Sequence, residues 1–305
     1  MEPMAGADAG RWQAHDWPCP FCASRSRRVR GRRGGEAHRG GLGVVSTVVR
    51  CRDCGGFYTS PTLVPRDNPY SDETAAEYFH RHDAEAKRED GRRLARRASA
   101  IAGRTGALLE IGCGRGDLLL GARDEGWEVF GVEMTPAFAD EAERKGVRVE
   151  RGPAEEARLL DERRFDAIFF AAVLEHLYRP VEVLRRARAA LVPGGALFVD
   201  VPNEGSLAMA LGHLYMRARG RDWSVNLSPT FSPFHVVGFT PRSLRRVLAG
   251  SGFEVVEMRK PRWSNELPPP STLAARAESL GLNAASWLGS RIGMGDGISC
   301  WARAV

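Results

Sequence analysis

Lysine is nearly absent from this 305-residue sequence, occurring only at positions 87, 145 and 260, so the formal charge of +6 is carried almost wholly by arginine. Such a bias is consistent with genomic base composition, which makes the charge weak evidence for a polyanionic partner. The arginines are dispersed except at 25–39 and 88–97, and these two clusters keep a phosphate-bearing substrate open. Long apolar runs are missing too: none approaches the roughly 18 residues that read as a membrane span. The N-terminal Met-Glu-Pro-Met-Ala-Gly-Ala-Asp lacks the basic and apolar regions of a leader. The expectation is a soluble, cytoplasmic chain without a membrane partner. Cysteine is sparse, with six in all, of which Cys113 and Cys300 stand alone.

The other four are paired as Cys19-x-x-Cys22 and Cys51-x-x-Cys54, with 28 residues between the pairs. Two such knuckles let each pair hold one side of a tetrahedral Zn²⁺, and four thiolates leave no open position for catalysis. The intervening glycines and the strand-like 44–50 suit a hairpin leading into the second knuckle. Residues 16–65 thus resemble a zinc ribbon, although the gap is long and Ala23 stands where many ribbons have glycine. Two disulfides or free thiols are the alternative. Residues 1–15, small and polar, are expected to be disordered, and 61–69, with prolines at 61, 65 and 69, reads as a linker.

A hydrophobic content of 43% can fill one α/β core and leave room for such a module. The apolar run 107–111 predicts a buried strand that breaks into Gly112, Gly114 and Gly116 before a helix from Asp117. A strand, a glycine turn and a helix N-terminus together form a place where backbone can approach a ligand. The alternating glycines differ from the dinucleotide fingerprint G-x-G-x-x-G, and Glu110, before the first glycine, suits a cation better than a phosphate. A second strand, 127–132, ends at Glu133, 17 positions past Gly116, where a carboxylate can take both hydroxyls of a ribose.

Glu110-x-Gly112-x-Gly114-x-Gly116 resembles motif I of the class I S-adenosylmethionine (SAM) methyltransferases. Phe165-Asp166-x-Ile168 followed by Val173-Leu174-Glu175-His176-Leu177, then Leu191-x-Pro193-Gly194-Gly195, is similar to the small-molecule branch of that family. The resemblance implies an α/β, Rossmann-like seven-stranded sheet of order 3-2-1-4-5-7-6 over about 70–305, behind the ribbon. It also implies SAM beside Glu110, Gly112, Cys113, Gly114 and Gly116. Met134 would pack on the adenine, and Ala154, Glu155 and Ala171 would contribute further contacts.

His176 lies just past the end of the fourth strand, where open α/β sheets place ligands, and a neutral imidazole with a pKa of about 6.5 can accept a hydroxyl proton. The alternative is that Glu175 and His176 only shape the loop. Ala172 stands where some quinone O-methyltransferases carry an acidic residue of a metal cluster, which argues against a metal there. The aromatic-rich insertion 204–240 is the expected acceptor pocket, and His235 within it is a second candidate base or a structural histidine. Tyr78 and Phe79 are either lid or packing residues.

The expected reaction is methylation of a small molecule, most readily a hydroxyl of a sugar, polysaccharide precursor or secondary metabolite. A methyltransferase of RNA or protein that grips its substrate through the ribbon is the rival, with nucleic acid not favoured; a silent SAM-binding protein is another. The acceptor, the oligomeric state and the role of 261–296 are not legible.

Overall fold

The structure, a computed structural model, describes residues 9–38, 41–68, 83–225, 227–263 and 273–305. The expected helix start at 71–74 and the candidate lid residues Tyr78 and Phe79 lie outside the described residues. The chain divides into two compact units. One is Met1–Asn68 with Val201–Arg246 and Arg259–Ser299; the other is Pro69–Asp200 with Val247–Met258 and Cys300–Val305.

The N-terminal part holds five strands, β1 (Trp12–His15), β2 (Arg27–Arg33), β3 (Ser46–Cys51), β4 (Phe57–Thr59) and β5 (Thr62–Pro65). Residues 12–15, expected to be disordered, instead pair antiparallel with 62–65 of the expected linker, from Trp12↔Pro65 to His15↔Thr62. The reason is apolar: Trp12 is buried against Val44 and Leu63, and removing an aromatic of that size from water is worth on the order of 2–3 kcal/mol. Strands β2 and β3 form the anticipated hairpin.

Among the described residues, the second unit starts with α1 (Ala84–Ala102), capped by Asp83, whose carboxylate accepts from the amides of Glu85 and Ala86. Then follow β6 (Ala107–Ile111), α2 (Asp117–Asp124), β7 (Glu128–Glu133), α3 (Pro136–Arg144), β8 (Arg148–Arg151), α4 (Leu159–Glu162), β9 (Phe165–Ala171), α5 (Pro180–Ala190) and β10 (Leu191–Pro202). Helix α6 (Leu207–Ala218), β11 (Val237–Gly238), α7 (Pro241–Gly250), β12 (Phe253–Arg259), α8 (Leu273–Arg291) and β13 (Gly297–Ala304) complete the chain.

Seven strands form one sheet in the order β12-β13-β10-β9-β6-β7-β8. Numbered one to seven along the chain and read from β8, this is 3-2-1-4-5-7-6, as the resemblance implied. The five strands from β8 to β10 are mutually parallel. Leu108, Phe169, Phe198 and Trp301 on one face of the sheet pack with Leu94, Ala95 and Ala98 of α1 and Leu119 and Ala122 of α2. Helix α1 runs unbroken through Gly91, where a Cβ would sit 2.2 Å from the carbonyl oxygen of Leu118. The glycine serves close approach of two helices rather than a break.

Four strands of the first unit form a second sheet, β11-β4-β3-β2. Val237 pairs with Tyr58 and Gly238 with Phe57, so part of the 204–240 insertion is a strand of the ribbon's own sheet.

Candidate functional site

Strand β6 delivers the chain into a loop in which Gly112, Gly114 and Gly116 all have positive φ (68°, 54° and 75°), a conformation that disfavours any side chain. The loop is tied to the neighbouring strand at several points. The amides of Gly112 and Cys113 both donate to the carbonyl of Val132, at 2.8 and 3.1 Å. Cys113 lies over Gly131, where an added Cβ would meet its sulfur at 2.4 Å, while a Cβ on Gly112 would strike Val173 in the loop after β9. A Cβ on Gly114 would meet nothing within 4 Å among the described residues, so what they demand of this glycine is its positive φ.

Glu133 ends β7, and its carboxylate bridges two loops. Oε2 accepts from the amide of Gly114 at 2.9 Å and Oε1 from the amide of Thr135 at 2.7 Å. Each carboxylate oxygen keeps a further lone pair for another donor. At the start of α2, Lys145 Nζ reaches Asp117 at 2.7 Å and the carbonyl of Arg115 at 3.2 Å, clamping the far side of the loop. Met134 is half-buried just beyond Glu133. Ala154 is buried at the end of β8, and its neighbour Glu155 is fixed through its carbonyl by Arg186 at 2.7 Å. Burial raises the Glu155 carboxyl above the usual range.

Beside this loop lie three acids from three parallel strands or their ends, Glu110 and Glu175 buried and Asp200 half-buried. Glu110 is on β6, Glu175 follows β9, and Asp200 is on β10. Glu110 Oε2, both oxygens of Glu175, and Asp200 Oδ1 are shielded from solvent and have no hydrogen-bond partner among the described residues. Burial pushes Glu110 and Glu175 up to about 8 and Asp200 up to about 7, while the charge of Lys87 on α1 opposes the shift at Glu110 and Asp200. Unsatisfied buried acids are expensive unless a cationic or hydrogen-bonding group completes them. Ala171 ends β9 half-buried, and Ala172 follows at φ 58°, its amide donating to the carbonyl of Asp200 at 2.8 Å. His176 Nε2 is 3.9 Å from Glu175 Oε1.

The family profile described as "Methyltransferase domain" matches residues 79–258, more than half of the chain. The chain belongs to this methyltransferase family. Among its relatives, the ubiquinone biosynthesis O-methyltransferase of Cereibacter sphaeroides is 28% identical over 184 residues, covering 59% of this chain and 72% of the relative. The enzyme of the same name from Caulobacter vibrioides is 31% identical over 160 residues, or 50% of this chain and 60% of the relative. The CcbJ methyltransferase of Streptomyces caelestis superposes with a TM-score of 0.50 at 19% identity, covering 76% of this chain and 96% of that structure, a likeness of fold alone. The protein is a SAM-dependent methyltransferase with the class I fold.

In the methyltransferase's other unit, the Sγ atoms of Cys19, Cys22, Cys51 and Cys54 lie within 4.8 Å of one another. The Cys19–Cys54 and Cys22–Cys51 pairs are each 3.6 Å apart. This is too long for a disulfide, and close to the S···S edge of about 3.8 Å of a tetrahedron with Zn–S bonds near 2.3 Å. The set therefore fits a small zinc site. Its knuckles are built from backbone turns: Ala23 N–H donates to the Cys19 carbonyl at 2.9 Å and Gly55 N–H to the Cys51 carbonyl at 3.1 Å. Phe21 lies over Gly56, where a Cβ would meet its ring at 2.2 Å.

His235 belongs to this same unit. Its amide donates to Ser228 Oγ at 3.2 Å and its carbonyl accepts from the amide of Ser228, also at 3.2 Å, which fixes the loop before β11.

Sequence reasoning passed over Asp200, Lys87, Lys145 and Arg186. Asp200 carried a signal: it is the one acid in the otherwise apolar run 196–202. The arginine and lysine clamps carried none, since their partners are backbone carbonyls or distant acids. Among the described residues, no helix is long and apolar enough to cross a membrane.

Proposed function

We propose that this methyltransferase moves the methyl group of SAM to a hydroxyl oxygen of a small molecule. The observation that carries the reading is Glu133, whose carboxylate is held across the glycine loop by the amides of Gly114 and Thr135 with lone pairs left for two ribose hydroxyls. Glu110, Gly112, Cys113, Gly114 and Gly116 would flank the amino-acid end, Met134, Ala154 and Glu155 the adenine, and Ala171 the side towards β9. The unsatisfied Glu110, Glu175 and Asp200 suit a ligand that brings positive charge.

SAM supplies an electrophilic methyl group on a sulfonium. When an acceptor oxygen forms its bond to that carbon, the C–S bond breaks, its electron pair stays on sulfur, and the hydroxyl proton must leave. His176, beside the carboxyl end of β9, is the first candidate to take that proton, and His235 the second. The O-methyltransferase names of the relatives from Cereibacter and Caulobacter support oxygen as the acceptor atom. The four ribbon cysteines are read as a structural Zn²⁺ site, closed to catalysis by its full set of thiolates.

Calorimetric titration tests the cofactor part: SAM should bind the wild type, and Glu133→Ala should weaken it at least tenfold. No binding, or equal binding by the variant, would sink the reading. His176→Ala should lower kcat about 100-fold with little change in SAM affinity; full turnover in both His176→Ala and His235→Ala would eliminate both bases.

A further inference from the structure

The unit that carries the ribbon contains a pocket unrelated to the glycine loop. Arg30, His213, Arg217, Gly220, Arg221, Asp222 and Trp223 line a pocket of about 300 Å³ that is open to solvent on one side, at the small end of the range that holds small-molecule ligands. Its construction is specific. Helix α6 ends in a turn in which Gly220, at φ 68°, donates to the Arg217 carbonyl at 2.9 Å and Arg221 donates to the Met216 carbonyl at 3.0 Å. That is a Schellman cap, and it uses up terminal carbonyls that would otherwise repel an anion. The chain then docks on β2: Arg32 N–H donates to the Asp222 carbonyl at 2.8 Å and Ser224 N–H to the Arg32 carbonyl at 2.9 Å. A Cβ on Gly31 would lie 2.2 Å from the Asp222 oxygen, so glycine at 31 is what permits the contact.

The charge in this pocket is unbalanced. Asp222, its one acid, is engaged by Arg32 Nε at 3.0 Å. That leaves the guanidiniums of Arg30, Arg217 and Arg221 facing a common space. Arg30 Nε is shielded from solvent and has no hydrogen-bond partner among the described residues; burial and the like charges of Arg217, Arg28 and Arg50 hold its pKa below the usual value. Arg221 is stacked over Trp223, 4.5 Å from the ring centroid, which limits its freedom and presents an apolar wall beside the cations. Like charges gathered around an unmet buried donor are relieved by an anion, and guanidinium forks match phosphate oxygens in geometry and charge.

We propose that this pocket binds the phosphoryl group of a phosphorylated small molecule, with Arg30, Arg217 and Arg221 on the phosphate oxygens and Trp223 against the organic part. Calorimetry on the full chain with pyrophosphate and with uridine diphosphate as probes tests it. Both should bind saturably, one per chain, with the nucleotide at least threefold tighter. Arg30→Gln and Arg217→Gln should each weaken binding about tenfold, while Arg245→Gln, which removes an exposed arginine elsewhere in the unit, should change it less than twofold. Arg217 is itself exposed, so its variant reads binding even if Arg30→Gln melts early. The site is overturned if neither probe saturates, or if Arg245→Gln costs as much as Arg217→Gln. Pyrophosphate binding tighter than the nucleotide would overturn the organic part, and displacement of the nucleotide by a short single-stranded RNA at far lower concentration would replace the small molecule with nucleic acid. SAM titration of the same variants should be unchanged, which separates failure here from failure at the glycine loop.

Discussion

Single residues carry some of this molecule's sharpest constraints. Ala23 closes the first cysteine knuckle at φ 58°, the region where ribbon turns favour glycine. A Cβ in that conformation costs about 1 kcal/mol, so Ala23→Gly should raise stability, less the extra freedom glycine gains in the unfolded chain. The net expectation is an increase of up to about 0.5–1 kcal/mol in denaturant unfolding of the metal-loaded protein; a loss of stability would show that the side chain makes a contact worth more than its strain. The departure at position 23 was visible in the sequence, but its positive φ was not. Glu175 offers a test of the opposite kind. Its folded-state value is pushed up to about 8 from an ordinary 4.5, chiefly by burial. The folded chain thus binds a proton more tightly than the unfolded one, so the associated stability is fully present below about pH 4.5 and is lost as pH rises through about 8. Without ligand, Tm should fall between pH 5 and 8, and Glu175→Gln should flatten that fall and raise Tm at pH 8. A variant whose profile runs parallel to the wild type would remove Glu175 as its cause.

At the level of elements, legibility followed periodicity. Strands β6 and β7 are largely apolar runs ended by glycine or an acid, so they stand where the pattern places them, to within a residue. Strand β10 reaches back beyond its apolar run 196–202 to Leu191, with its register shifted between Leu191 and Ala196. A Pro-Gly-Gly run reads as a turn, yet here it is an irregularity within one strand's pairing with β9. Helix α6 was not legible. Its sequence Leu-Ala-Met-Ala-Leu-Gly-His-Leu-Tyr-Met-Arg-Ala is apolar on most sides, but Leu211, Leu214 and Tyr215 are exposed. No stripe separates inside from outside, and only the Ser206 cap, accepting from Met209 at 3.2 Å, marks a start. The glycine loop was read from residue types because its chemistry is local in sequence. The bridging hold of Glu133 by Gly114 and Thr135 adds what spacing could not provide: the carboxylate also fixes the loop itself.

On the scale of the whole molecule, the ribbon and the insertion, read as separate modules, share one sheet through β11 and β4, a pairing of residues some 180 positions apart. No local pattern encodes such a contact, because the two-residue strand β11 has no periodicity to detect. The pairing makes the ribbon a support for the loop that carries His235, only two residues before β11. Strand β4 follows directly from the knuckle of Cys51 and Cys54, and its partner β3 ends on Cys51. Removing a zinc ligand should therefore be felt at β11. In Cys51→Ser, zinc should fall from about one per chain to near zero by elemental analysis, and amide exchange at 237–238 should accelerate at least tenfold. SAM affinity should stay within about threefold, since the glycine loop, Glu133 and the core behind them are held together within their own unit. Retained zinc in the variant would dismiss the metal site. Lost zinc with unchanged exchange at β11 would show instead that the insertion holds its strand without the ribbon.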